Sequence, residues 1–147
     1  MKIYTKNFHA LNTQELYGLL QLRSEVFVVE QDCVYQDLDG KDSKAIHVIG
    51  KKEDEIVAYT RVFKHGDYFP EASIGRVVVK KDQRKYGYGK TIMEASIKAI
   101  EAQLHTTTIR ISAQTYLLKF YNSLGFTAEG VEYLEDGIPH VSMVRVA

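Results

Sequence analysis

The sequence predicts an α/β fold, a single mixed layer of β-strands with helices on both faces, and three observations predict it. Short apolar runs rich in β-branched residues recur between turn residues, at 45–50, 56–64, 73–80 and 108–113. Two stretches instead repeat their apolar residues at three- and four-residue steps. One carries Leu16, Leu19, Leu20, Val26 and Phe27, and the other Ile92, Met93, Ser96, Ile97, Ile100 and Leu104. Between 74 and 89 a buried strand, a charged turn and a glycine-opened helix follow one another.

In chain order, residues 2–8 alternate well enough for an edge strand. Asn12 or Thr13 can cap a helix running through about Val28, because a short polar side chain accepts from the unpaired N–H groups of a first turn. Residues 30–44 are polar, rich in acids and contain Gly40, which reads as a loop. Segments 45–50 and 56–64 form a hairpin around Lys51-Lys52-Glu53-Asp54-Glu55. Phe69-Pro70 breaks the pattern before the strand at 73–80. A helix from Gly87 to about Gln103, a strand at 108–113 and a short helix through Leu124 follow. Segments 126–134 and 140–146 pair around Glu135-Asp136-Gly137.

A chain of 147 residues is expected to form one domain, 1–147, with a real core. Its 19 basic and 19 acidic residues balance and are scattered, which argues against nucleic acid as a partner. No apolar run approaches the roughly 20 residues that span a bilayer. Met1-Lys2-Ile3-Tyr4 lacks the apolar region of a signal peptide and reads as a first strand. A single cysteine, Cys33, forms no internal disulfide and suits a reducing cytoplasm.

The segment Ile74-Gly75-Arg76-Val77-Val78-Val79-Lys80-Lys81-Asp82-Gln83-Arg84-Lys85-Tyr86-Gly87-Tyr88-Gly89 carries the chemistry. A helix's first turn leaves N–H groups unpaired and its dipole favours anions, so Arg84-x-x-Gly87-x-Gly89 suits a pyrophosphate. Glycines remove side chains that would keep the phosphates away. A phosphate loop of the Walker type is excluded, since no Gly-Lys-Ser/Thr stands at the required spacing. A dinucleotide fingerprint fails too, because Ile92 replaces its third glycine. A plain glycine-rich β–α turn would read the same way. Further on, Leu117-Leu118-Lys119-Phe120-Tyr121-Asn122-Ser123-Leu124-Gly125-Phe126 reads as a short helix stopped by glycine, then a strand.

Together these two segments resemble the GCN5-related N-acetyltransferase (GNAT) superfamily, with its R/Q-x-x-G-x-G/A loop and later Phe-Tyr-x-x-Leu-Gly-Phe box. Leu22-Arg23-Ser24-Glu25-Val26-Phe27 through Tyr35, Asp37-x-Asp39-Gly40-x-Asp42 and Tyr133 through His140 look like its ElaA-like branch. The resemblance runs from about Leu16 to Val146. It implies the GNAT fold, a mixed and mostly antiparallel sheet, and a CoA thioester donor, acetyl-CoA.

By that resemblance Val77, Val78 and Val79 hold the pantetheine arm through backbone groups, one N–H polarising the acetyl carbonyl. Arg84, Lys85, Tyr86, Gly87, Tyr88, Gly89 and Lys90 form the pyrophosphate loop. Gln114 stands where many relatives bond the pantetheine with asparagine. Tyr121 is the catalytic candidate, because a phenol with an ordinary pKa of about 10 keeps a proton to give a departing thiolate. The base has no clear owner. Ser73 occupies the strand position where many relatives place a glutamate, and Glu30, Asp37, Asp39, Glu71, His47 and His140 are alternatives, as is a water chain. Arg23, Glu25 and Glu30 are candidates for lining the acceptor site, and the acids at 37–42 would favour a cationic acceptor. Cys33, His47 and His140 lack a recognised metal spacing, so no metal is expected.

The expected activity is acetyl transfer to a primary amine of a small molecule, a peptide N-terminus or a lysine. A CoA-binding sensor without catalysis and an acyl-homoserine-lactone synthase are the alternatives. The chain is expected to act as a monomer or homodimer, away from membranes.

Overall fold

The computed structural model describes Met1–Ala147 and sets seven strands in one sheet. They are β1 (Lys2–Asn7), β2 (Ile46–Lys52), β3 (Glu55–Phe63), β4 (Ala72–Val79), β5 (Ile109–Gln114), β6 (Thr127–Glu135) and β7 (Ile138–Arg145). Their lateral order is β1-β2-β3-β4-β5-β7-β6. All neighbours are antiparallel except β4 and β5. The turn between β6 and β7 is Asp136-Gly137, both left-handed (φ 53° and 75°), the combination a tight two-residue hairpin needs.

Helix α1 (Thr13–Arg23) packs on one face of the sheet, and α2 (Tyr88–Ala99) with α3 (Leu118–Ser123) on the other. Asn12 caps α1: its side chain accepts from the Glu15 N–H at 2.8 Å, and the Glu15 carboxylate accepts from the Asn12 N–H at 3.0 Å. The buried positions Glu15, Leu19, Leu22, Arg23 and Val26 lie on one stripe at helical spacing. Leu16 and Leu20, expected on that side, are only half-buried. The regular helix also ends earlier than expected. From Ser24 to Glu30 it widens into a π-type turn, where the Val26-Phe27-Val28-Val29 run crowds the preceding turn. Ile100–Leu104 widens α2's end similarly.

The larger core lies under α2 and α3 and gathers Ile92, Met93 and Ile97 against Ile109, Ile111 and Met143. The smaller one, under α1, joins Leu19, Leu22 and Val26 to Ile49, Tyr59 and Val78. Strand β4 serves both through a bulge. Tyr59 pairs with Val78 and Arg61 with Gly75, so Arg76 and Val77 together oppose Thr60. The extra residue shifts the alternation by one: Ala72 and Ile74 face α2, and so do Val77 and Val79. Beyond the bulge the strands part. β4 and β5 pair only at Ala72–Ile109 and Ser73–Arg110. From Ile74 onward the β5-facing edge of β4 has no strand partner.

The loop at 31–41 is held by charge. Arg23 bonds Asp37 (2.8 Å) and Asp42 (2.7 Å), while Arg61 bonds Asp42 (3.0 Å) and both oxygens of Asp39 (2.8 and 2.7 Å). Arg76, left-handed at φ 49° in the bulge, bonds the carboxylate and carbonyl of Asp37 at 2.8 and 3.0 Å. The acids at 37–42 are therefore neutralised within the protein, and the expectation that they draw a cationic acceptor is corrected.

Asp42→Ala leaves two buried guanidinium groups without their shared carboxylate and should cost about 3–5 kcal/mol in urea unfolding. Burial works to raise the Asp39 carboxyl, but its bonds to Arg61 and the Lys41 N–H prevail and bring it to about 2 from an ordinary 3.8. Glu15, similarly opposed by burial, is brought to about 2 by Asn12, Lys6 and Lys51. Both folded values lie below the unfolded ones, so this stabilisation is complete above about pH 5 and is lost as pH falls toward 2. Urea midpoints should fall across that window, and less steeply in Asp39→Asn.

Candidate active site

The parting of β4 and β5 opens a cleft of about 610 Å³ that crosses the sheet. A volume of this size suits a small-molecule site. Ile74 through Val79 form one wall, and Ile111, Ser112 and Gln114 the other. Val78, its side chain packed under α1, borders the cleft beside half-buried Val77 and Val79.

At one end stands the start of α2. Gly87 (φ 73°) turns the chain into the helix, and no side chain caps it, which leaves the first-turn N–H groups open to an anion. Gly87, Gly89 and Lys90 line the cleft there. A Cβ on Gly89 would meet the Phe120 ring at 3.6 Å. The loop's side chains behave differently from expectation. Tyr86 and Tyr88 turn away to Lys52, whose ammonium lies 4.3 and 5.9 Å from their rings, and Lys85 stacks on Tyr86 at 5.3 Å. None of the three lines the cleft, so any part they take is through the backbone or long-range charge. Arg84 does line it, but its guanidinium is clamped by Glu30 (2.6 and 2.8 Å).

Tyr121, on α3, lines the cleft and is 6% exposed. Burial pushes its phenol well above the ordinary tyrosine range. No cation sits beside it to ease ionisation, so the proton is firmly held.

The far end opens on the sheet's other face. Ile109, Ile111 and Ala113 point to the α2 side, which sends Ser112 and Gln114 the opposite way. Gln114 pairs with His140 of β7. Glu135 accepts from Ser112 Oγ at 3.0 Å and lies 3.5 Å from His140 Nε2. The loop at 31–41 closes this end, with Cys33 Sγ donating to the Asp136 carbonyl at 3.3 Å.

Of the candidate bases, His140 alone borders the cleft without a tightly bound cation. Glu30 and Asp37 border it too, but Arg84 holds the first, and Arg23 and Arg76 hold the second. His47 is fully buried between the Tyr59 hydroxyl (2.6 Å) and the Asp42 carbonyl (2.9 Å), and burial lowers its pKa. Asp39 and Glu71 are clamped by Arg61 and Arg110, and Ser73 is buried outside the cleft. Arg23 and Glu25 do not line it either: Arg23 is fully buried in the aspartate network and Glu25 faces another groove. The sequence reading gave no role to Ser112, Glu135 or Tyr35, which all border the cleft. Alternation along β5 could have flagged Ser112.

This seven-stranded fold is shared with solved acyl-CoA N-acyltransferases. An acyl-CoA N-acyltransferase from Pseudomonas aeruginosa superposes with a TM-score of 0.93 at 38% identity, over 99% of this chain and 100% of its own. The model of the acetyltransferase (GNAT) domain matches residues 9–147. Protein ElaA of Escherichia coli is 42% identical over 92% of this chain and 90% of its own length. Its crystal structure superposes at TM-score 0.90 with 99% coverage of each chain. The chain belongs to the GNAT acetyltransferase family, in its ElaA-like branch. PaiA N-acetyltransferase of Thermoplasma acidophilum, solved with coenzyme A, shares the fold at TM-score 0.73 and 13% identity, with full coverage of each chain.

Tyr59 and Tyr121 are both raised above the ordinary tyrosine range by burial. In an absorbance titration of the ten tyrosines, these two should still be un-ionised at about pH 11 and belong to the late-titrating class. Tyr121→Phe should remove one chromophore from the late class; removal from the early class would show an open site.

Proposed function

We propose that the protein transfers an acetyl group from acetyl-CoA directly to a primary amine. The observation that carries this reading is the cleft itself. It runs from an uncapped helix start, past a buried tyrosine, to a polar opening on the opposite face of the sheet. Such a passage suits two reactants that enter from opposite sides and meet within it.

In this reading the N–H groups at Tyr88, Gly89 and Lys90 receive the pyrophosphate, and Lys90 adds charge. The free edge of β4 from Val77 to Val79 takes the pantetheine by backbone hydrogen bonds, with Gln114 opposite. An N–H of the bulged segment polarises the thioester carbonyl, a contribution that gains strength in a cleft with little water. Tyr121 protonates the departing sulfur. An alkylamine has an ordinary pKa near 10.4, so about one molecule in a thousand is neutral at pH 7 and its proton must be removed. The unpaired cysteine, Cys33, fits action in a reducing cytoplasm.

Calorimetric titration with acetyl-CoA, followed by thiol release against a panel of amines, tests the proposal. Binding with turnover is expected, and failure of any CoA ester to bind would end it. Tyr121→Phe should lower kcat by roughly 10²–10⁴-fold with donor binding retained; a wild-type rate would remove the acid assignment. Gly87→Glu places a carboxylate and a strained left-handed residue at the helix start and should abolish binding. Unchanged affinity would locate the phosphates elsewhere.

A further inference from the structure

At the far end of the cleft the His140 imidazole and the Glu135 carboxylate face each other, Nε2 to Oε2, at 3.5 Å. His140, 6% exposed, has its Nδ1 2.7 Å from the Ile138 carbonyl oxygen. A carbonyl only accepts, so in the neutral ring the hydrogen sits on Nδ1 and Nε2 offers a lone pair. That lone pair meets Oε2 of Glu135 at 3.5 Å. The carboxylate is fixed through its other oxygen by Ser112 Oγ, which also bonds the Tyr133 hydroxyl. Tyr133 in turn stacks on the His140 ring, 6.2 Å between centroids and 22° apart. Two acceptors held this rigidly make a socket for a group with several N–H donors.

The charges around the socket indicate which group. Arg76 is engaged by Asp37, Arg84 by Glu30, and Arg110 by Glu71 and Glu129. Glu135 has no lysine or arginine partner, and Asp136 follows it in the turn. This end therefore attracts a cation, and an acceptor carrying a carboxylate beside its nitrogen would meet Glu135 as a like charge.

Building on the N-acetyltransferase reading, we propose that Glu135 and His140 form the amine-receiving pair and that His140 Nε2 is the general base. Glu135 binds the acceptor as a primary alkylammonium, and Nε2 takes one of its protons. The imidazolium so formed is held by the carboxylate beside it. The freed nitrogen lone pair then forms the N–C bond at the thioester carbonyl, and the C–S bond breaks with its electron pair leaving on sulfur. Tyr121 gives the sulfur a proton and is restored by the second proton from the nitrogen. His140 releases the first to solvent, so the products are amide, thiol and one proton.

The test uses the full chain with acetyl-CoA and two acceptors: the fastest alkylamine of the panel, and phenylhydrazine, whose nitrogen is already neutral at pH 7. His140→Asn keeps a donor toward the Ile138 carbonyl and removes Nε2. It should lower kcat for the alkylamine by roughly 10²-fold or more, lower it far less for phenylhydrazine, and leave acetyl-CoA binding unchanged. In His140→Ala, added imidazole should restore part of the rate. Glu135→Gln should raise KM for the alkylamine about tenfold, with a smaller effect on phenylhydrazine. An alkylamine rate in His140→Asn close to wild type, or equal losses for both acceptors, would overturn the assignment. A wild-type protein that binds acetyl-CoA yet acetylates no amine would instead overturn the underlying function, and this assignment with it.

Discussion

Strands β4 and β5 pair over two residues and then separate, and the cleft exists because of that separation. Separation of parallel strands exposes backbone N–H and C=O groups that would otherwise bond each other. A bulge in β4, and its tie to the loop at 31–41, keep the gap from closing. The bulge at Arg76-Val77 bends β4 away and reverses the phase of its side chains, so that Val77 and Val79 close the α2 core while Val78 closes the α1 core. The bulge also places Arg76 in a left-handed conformation, which costs roughly 1–3 kcal/mol for a residue with a side chain. Its guanidinium bonds to Asp37 offset that cost and tie the bulge to the loop at 31–41, which forms the cleft's outer wall.

That loop makes the geometry of the site depend on a network of three arginines and three aspartates. Arg23 and Arg61 are fully buried, and neither would be tolerated there without a carboxylate for its donors. Asp42 bridges both, Asp39 joins Arg61, and Asp37 links Arg23 to Arg76. One set of ion pairs thus connects α1, β3, β4 and the wall of the cleft. The electrostatic consequence is just as definite. Acids that look free in the sequence are neutralised, and the negative charge left at the far end of the cleft comes from Glu135 at the end of β6 and Asp136 in the turn that follows.

The strand order along the chain, the two helical stripes and the Asp136-Gly137 hairpin were legible, because period and turn chemistry are local properties. The glycine loop and Tyr121 were legible as motifs, and the structure sets both on one cleft. What was not legible depends on register and on distant pairing. No local signal announces that β4 carries a bulge, nor that Arg61, within an apolar strand, is buried against Asp39 and Asp42. Tyr86 and Tyr88 looked like part of a phosphate loop because they stand within the Arg84-x-x-Gly87-x-Gly89 motif. Their rings instead follow Lys52, which arrives from the β2–β3 hairpin. Glu135 read as a turn residue, and only the pairing of β5, β7 and β6 brings it to Ser112 and His140.

In the proposed reaction the two faces of the sheet have different tasks, with the donor held by backbone groups from the α2 side and the acceptor met by side chains on the other. Hydrogen exchange resolved by residue, with and without coenzyme A, tests this most directly. The amides of Val77, Val78, Val79, Tyr88, Gly89 and Lys90 should gain protection while those of β1 and β2 remain as they were. Protection confined to other segments, or an unchanged pattern at saturating coenzyme A, would contradict the claim that the gap between β4 and β5 is the donor site.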